Sequence, residues 1–141
     1  MANKSNKNSN QISQKILVPL ASLPAVLLPW YDREKRSLPW RDIVTPYRTW
    51  VSEIMLQQTR VQAVLPYFER FMAAAPDVPA LAELAEDRLL SLWQGLGYYS
   101  RARSLQRSAR VMVDQYGGCL PDTYSDLIQL PGIGDYTAGA I

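Results

Sequence analysis

From about Ser22 onward, apolar residues recur at helical spacing in short runs closed by proline or glycine, and no stretch alternates convincingly with a period of two. The pattern predicts an all-α domain of short helices with no internal repeat. Ser22 with Pro24 in the first turn, and Thr45 with Pro46 at the first helical position, read as helix starts. Pro29 should kink or end the first helix. Residues 47–57 gather Trp50, Val51, Ile54, Met55 and Leu56 into a broad apolar stripe with Glu53 among them. Residues 61–75 repeat the pattern and stop at Pro76. Residues 81–93 read as one broken or two short helices, and residues 100–116 as a longer amphipathic helix closed by Gly117 and Gly118.

Residues 1–14 are rich in Asn, Ser and Lys and have almost nothing to bury, so their ordering entropy goes uncompensated. The expected organisation is a disordered tail over residues 1–20 and one helical domain over residues 21–141. A chain of 141 residues, 48% of them hydrophobic, suffices for one modest domain. The net charge of +2 permits a nucleic-acid partner without demonstrating one. The apolar run over residues 16–30 is interrupted by Pro19, Pro24 and Pro29 and falls short of the ~20 residues a bilayer requires. Lysines precede it, but no convincing cleavage site follows, so no membrane partner and a cytoplasmic location are expected.

Composition also narrows the chemistry. The single cysteine, Cys119, cannot build a disulfide framework or a cysteine-ligated metal site within this chain, which suits a reducing compartment. No histidine is present, so Ser-His and Cys-His dyads and the usual zinc ligands are excluded. Acid–base work must fall to carboxylates, Tyr or Lys.

Three local patterns could carry function. Leu130-Pro131-Gly132-Ile133-Gly134 lies between a helical pattern over residues 123–129 and the small-residue run Thr137-Ala138-Gly139-Ala140. Its glycines allow a tight turn between helices, leaving amide groups at the second helix free for a phosphate. This is a helix-hairpin-helix pattern, which would bind DNA backbone without reading sequence; an ordinary turn between two helices is the alternative. In the second pattern, Ser52 to Thr59, burial of Glu53 against Trp50 or Leu56 would raise its pKa and keep a proton ready for donation. A surface or ion-paired glutamate is the plainer reading, as capping is for Gln57, Gln58 and Thr59. In the third, Gly95-Leu96-Gly97-Tyr98-Tyr99-Ser100-Arg101-Ala102-Arg103, tyrosines could wedge into an opened duplex while the arginines hold phosphates. Core packing explains the tyrosines equally well, and Arg103, Arg107 and Arg110 share a helical face that solvation alone accounts for.

Taken together with Leu38-Pro39-Trp40-Arg41, Thr45-Pro46-Tyr47, Pro66-Tyr67-Phe68-Glu69-Arg70-Phe71 and Leu92-Trp93-Gln94-Gly95, these motifs strongly resemble, in order and spacing, the MutY adenine DNA glycosylases over residues 30–141. The resemblance implies a helix-hairpin-helix DNA glycosylase fold, here a truncated six-helix barrel. It also implies removal of adenine mispaired with 8-oxoguanine or guanine in double-stranded DNA, by a monomeric bacterial enzyme of base excision repair. On that reading Glu53 is the catalytic acid, and Arg36, Trp40, Arg41, Leu56 and Tyr136 line the adenine pocket. Gln57, Gln58, Thr59, Tyr98, Gly132, Ile133 and Gly134 contact DNA, with Gln58 filling the stack near the oxidised guanine, Thr59 touching that lesion and Tyr98 wedging beside it. Tyr136 stands where glycosylases of the endonuclease III type carry a Schiff-base lysine, so base removal without an efficient lyase step is expected.

The family's second carboxylate, its [4Fe-4S] cysteines and its lesion-recognition domain match nothing in these residues, and no metal ligand is assigned. The resemblance therefore implies an incomplete and inactive fragment, of low stability because the first helix would lack its docking partner. Cys119 matches no cluster ligand and reads as a packing residue. A non-catalytic hairpin DNA-binding module and an endonuclease III-like glycosylase for oxidised pyrimidines are the alternatives.

Overall fold

The computed structural model describes residues 19–141, and the secondary structure among them is entirely helical. Of the tail expected over residues 1–20, residues 1–18 lie outside the described residues. The chain divides into two units, Met1–Arg36 and Ser37–Ile141.

The described part of the first unit is a 3-10 turn, Leu20–Ser22, running into α1, Leu23–Glu34. Ser22 occupies the cap position, but its hydroxyl donates back to the Pro19 carbonyl (2.9 Å) and caps no amide. Pro29 lies inside the helix, which continues to Glu34. It removes one backbone donor. Ala25, whose carbonyl that donor would have met, is exposed, so water can satisfy the oxygen. No residue of α1 is buried.

The second unit holds α2 (Pro39–Asp42), α3 (Pro46–Leu56), α4 (Val61–Ala74), α5 (Val78–Glu83), α6 (Glu86–Trp93), α7 (Ser100–Gln115), α8 (Tyr124–Leu127) and α9 (Asp135–Ala140). Thr45 starts α3 as expected, its hydroxyl accepting from the Arg48 amide (3.1 Å) ahead of Pro46. The segment over residues 81–93 resolves into two helices because Leu84 and Ala85 are extended. Asp77 caps the first of the two, which starts at Val78, three residues earlier than the apolar pattern suggested. Gly117 and Gly118 close α7 with φ of +63° and +78°, returning the Gly118 amide to the Met112 carbonyl (2.9 Å).

α3 is the central strut, packing against α2, α4, α7 and α9. Trp50, Val51 and Met55 are fully buried, as are Phe68 and Phe71 of α4, Leu89 and Trp93 of α6, and Leu105 and Met112 of α7. Trp40 meets Phe68, and Phe71 meets Trp93, edge to face at 5.1 and 6.1 Å. Polar clips fix the helix ends. The Tyr47 hydroxyl donates to the Ala75 carbonyl (2.7 Å) at the end of α4, and buried Gln106 donates to the carbonyls of Leu81 and Leu84 around the end of α5. Cys119 is exposed in the turn after the two glycines, so it is not a packing residue.

Candidate functional site

With so much of α3 committed to the core, Glu53 lies on the edge of the helix that the other elements leave open. It borders a cleft of about 420 Å³ whose walls include Trp40, Arg41, Leu56, Gln57 and Tyr136. That volume suits a small ring system. The structure thus gathers Glu53 and four of the five residues expected around it, from α2, α3 and α9. Arg36, the fifth, is exposed at the end of the first unit. Leu56 supplies the apolar wall foreseen for Glu53, whereas Trp50 lines a different, smaller cavity.

Glu53 is half-buried, and its carboxyl is held above the ordinary range near 4.5 chiefly by desolvation, with the positive charge of Arg41 pulling the other way. The folded chain therefore binds this proton more tightly than the unfolded chain does. Its stabilising effect is complete below 4.5 and is lost as pH rises through the elevated value. Tyr136, 81% exposed, offers the cleft a phenol and no amine.

The helix-hairpin-helix pattern is present as α8, a turn and α9. Thr123 caps α8 by accepting from the Asp126 amide, and the Tyr124 hydroxyl donates to Asp135 (2.6 Å), tying the two short helices together. That bond also raises the tyrosine pKa. Leu130, Ile133 and Ala138 are buried. Ile133, expected among the DNA contacts, therefore has its side chain in the core as an anchor and can present only backbone. The turn lies against α7, where the Ser108 hydroxyl donates to the Pro131 carbonyl (2.6 Å). Gly132 has a φ of +77°, and a Cβ there would stand 2.9 Å from that of Ser104. Gly134, in extended backbone, caps α9.

The remaining expected contacts lie on two neighbouring loops. Gln57 ends α3 and borders both cavities, Gln58 is exposed with a φ of +58°, and Thr59 is half-buried. Tyr98 is 64% exposed with a φ of +49°. Gln58 and Tyr98 are the non-glycine residues with positive φ among those described. Left-handed backbone costs roughly 1–2 kcal/mol for a residue with a Cβ, and such strain gathers at working sites.

The arginines after Tyr98 differ from the sequence reading. Arg103 pairs with Glu86 (2.9 Å) at the surface, whereas Arg101 turns inward onto backbone carbonyls. The inward turn of Arg101 is not legible in the sequence because its partners from Ile54 to Thr59 lie more than forty residues away. No group of His, Cys, Asp or Glu among the described residues could hold a metal ion. The [4Fe-4S] cluster implied by the resemblance thus finds no fitting donor set in them. No described helix is long and apolar enough to cross a membrane.

An all-helical unit whose short hairpin stands beside an acid-bearing cleft defines the class of a helix-hairpin-helix DNA repair fold. The chain belongs to the HhH-GPD superfamily of base excision DNA repair proteins, whose family model matches residues 51–138. It is 45% identical to an adenine DNA glycosylase of Buchnera aphidicola over 116 residues, and 49% and 48% identical to the mouse and human proteins of that name over 124. Each comparison covers 82% of this chain, but 33%, 24% and 23% of the respective relative. The chain thus spans a quarter to a third of their length. Among solved structures, a thermostable thymine-DNA glycosylase superposes with a TM-score of 0.75 at 26% identity, covering 82% of this chain and 54% of that one. A trapped endonuclease III–DNA covalent intermediate superposes at 0.68 and 19% identity, covering 81% and 53%, which speaks to the fold alone.

Proposed function

We propose that the protein to which these residues belong removes adenine paired with 8-oxoguanine, or with guanine, by hydrolysing its N-glycosidic bond, with Glu53 as the proton donor. The observation that carries the proposal is the placement of Glu53: a half-buried carboxyl with raised proton affinity, on a cleft of base-accommodating size, facing an aromatic wall and Tyr136. The identity with proteins named adenine DNA glycosylase supports the choice of base.

The adenine must leave the stack to reach the cleft, because its glycosidic bond is inaccessible inside the duplex. Trp40 and Leu56 provide apolar surface for the ring, and Glu53 hands its proton to a ring nitrogen. The bond from the sugar C1′ to the base then breaks, with its electron pair leaving on the protonated purine. Water adds to the sugar cation and releases a proton, the logic by which carboxylic acids cleave glycosides. Tyr136 supplies no amine for a Schiff base, so strand cleavage does not accompany base loss. On the duplex side Gln58 fills the stack near the oxidised guanine, Thr59 touches it and Tyr98 wedges beside it, while the hairpin backbone at Gly132 and Gly134 takes a phosphate. The bound partner is double-stranded DNA, in the cytoplasm.

The test is a single-turnover assay of the product of the complete reading frame on duplexes carrying adenine opposite 8-oxoguanine. Adenine release without nicking supports the proposal; release only of oxidised pyrimidines, or salt-sensitive binding without any release, rejects it. Because the protonated form of Glu53 is the active one, the rate should fall as pH rises through its elevated pKa. Arg41 opposes that elevation, so Arg41→Leu should move the falling limb to higher pH. A limb that stays in place or moves to lower pH would remove Arg41 from the electrostatics of the site.

A further inference from the structure

The two loops bearing Gln58 and Tyr98 meet at one side chain. Arg101 lies in the first turn of α7, where its guanidinium reaches both loops. Nη1 donates to the carbonyls of Ile54 (2.9 Å), Met55 (3.0 Å) and Gln57, at the end of α3. Nη2 donates to the carbonyls of Leu96 (3.2 Å) and Gly97 (3.1 Å) and reaches the Thr59 hydroxyl at 3.5 Å. The planar group also stands 5.5 Å from the Trp93 ring and 5.7 Å from the Tyr98 ring.

The last carbonyls of a helix lack intrahelical partners, and the helix dipole favours a cation beside them. Helices commonly end on a left-handed glycine at the position that Gln58 holds here. Arg101 supplies from across the fold the stabilisation that this glutamine does not. It does so although its Nε is buried with no partner among the described residues, and an unmet buried donor is costly. An arginine kept at that cost, beside both left-handed residues, argues for a role that a simpler core residue could not fill.

We propose that Arg101 is a positioning residue for lesion recognition, its forked guanidinium locking residues 57–59 to the loop 95–98 so that Gln58 and Tyr98 meet the opened duplex as one rigid unit. The proposal rests on the function given above for those two residues. It also explains why arginine stands here, since a lysine carries the charge but has one nitrogen and cannot span both loops.

Arg101→Lys in the product of the complete reading frame tests it with two readouts. Amide hydrogen exchange should accelerate about tenfold or more in residues 57–59 and 96–98 together, while the amides of α4 and α6 keep their protection. Acceleration in one loop only, in neither, or throughout the core overturns the lock. In single-turnover assays, whose rate constant does not depend on the active fraction, the preference for adenine opposite 8-oxoguanine over adenine opposite guanine should fall about tenfold. Gln58→Ala should then add little in the Arg101→Lys background. Equal losses on both duplexes, or losses that multiply, mark Arg101 as merely structural and overturn the proposal. A parent protein that releases no adenine rejects the proposed function instead, and hydrogen exchange still decides the lock.

Discussion

Glu53→Gln should slow single-turnover adenine release by about 10²–10⁴-fold while leaving affinity for a duplex with adenine opposite 8-oxoguanine within about threefold of the parent. The amide has the shape of the acid and can occupy the same cleft beside Leu56 and Arg41, but it holds no transferable proton. Binding survives because Gln58, Thr59, Tyr98 and the hairpin, which face the duplex in the proposed complex, are untouched. The rate is read from base release under enzyme excess and the affinity from a gel-shift titration. Unchanged release would deny Glu53 the role of acid; a parallel loss of affinity would make it a binding residue.

Gly132→Ala should destabilise the protein by about 2–5 kcal/mol and weaken duplex binding. The left-handed backbone at this position costs an alanine roughly 1–2 kcal/mol. The added methyl would also meet the Ser104 Cβ at 2.9 Å, and that atom is fixed to the α7 backbone and cannot swing away, so overpacking adds about 1–3 kcal/mol. The hairpin turn must then lift from α7 and strain the Ser108–Pro131 hydrogen bond. Gly97→Ala is the control, because its φ is +73° but nothing lies within 4 Å of a Cβ there, leaving only the backbone cost. Denaturant unfolding of both variants checks the difference. Equal losses would mean that the contact with α7 contributes nothing.

Local chemistry made much of this legible in advance. Thr45 before Pro46, the glycines after residue 116 and the apolar spacing of α3, α4 and α7 each name their element, because capping and periodicity are short-range effects. The cleft was legible only through the joint resemblance, since Trp40, Glu53 and Tyr136 come from three helices that the sequence cannot bring together unaided. The failures share a cause. Cys119 reads as a packing residue by residue type alone, yet it is exposed. The arginines after Tyr98 read together as possible phosphate holders, although the carbonyls that claim Arg101 lie up to forty-seven positions away. A long-range hydrogen bond leaves no periodicity to read.

The central claim is that Glu53, in its cleft, keeps its proton beyond the pH at which an ordinary glutamate gives it up. Titration of its side-chain carboxyl by carbon-detected NMR in the 141-residue chain, assigned through Glu53→Gln, measures that property directly. The midpoint is expected above the usual value near 4.5 and should move further up in Arg41→Leu. A midpoint at or below 4.5 would contradict the account, because such a group has no proton to give near neutral pH.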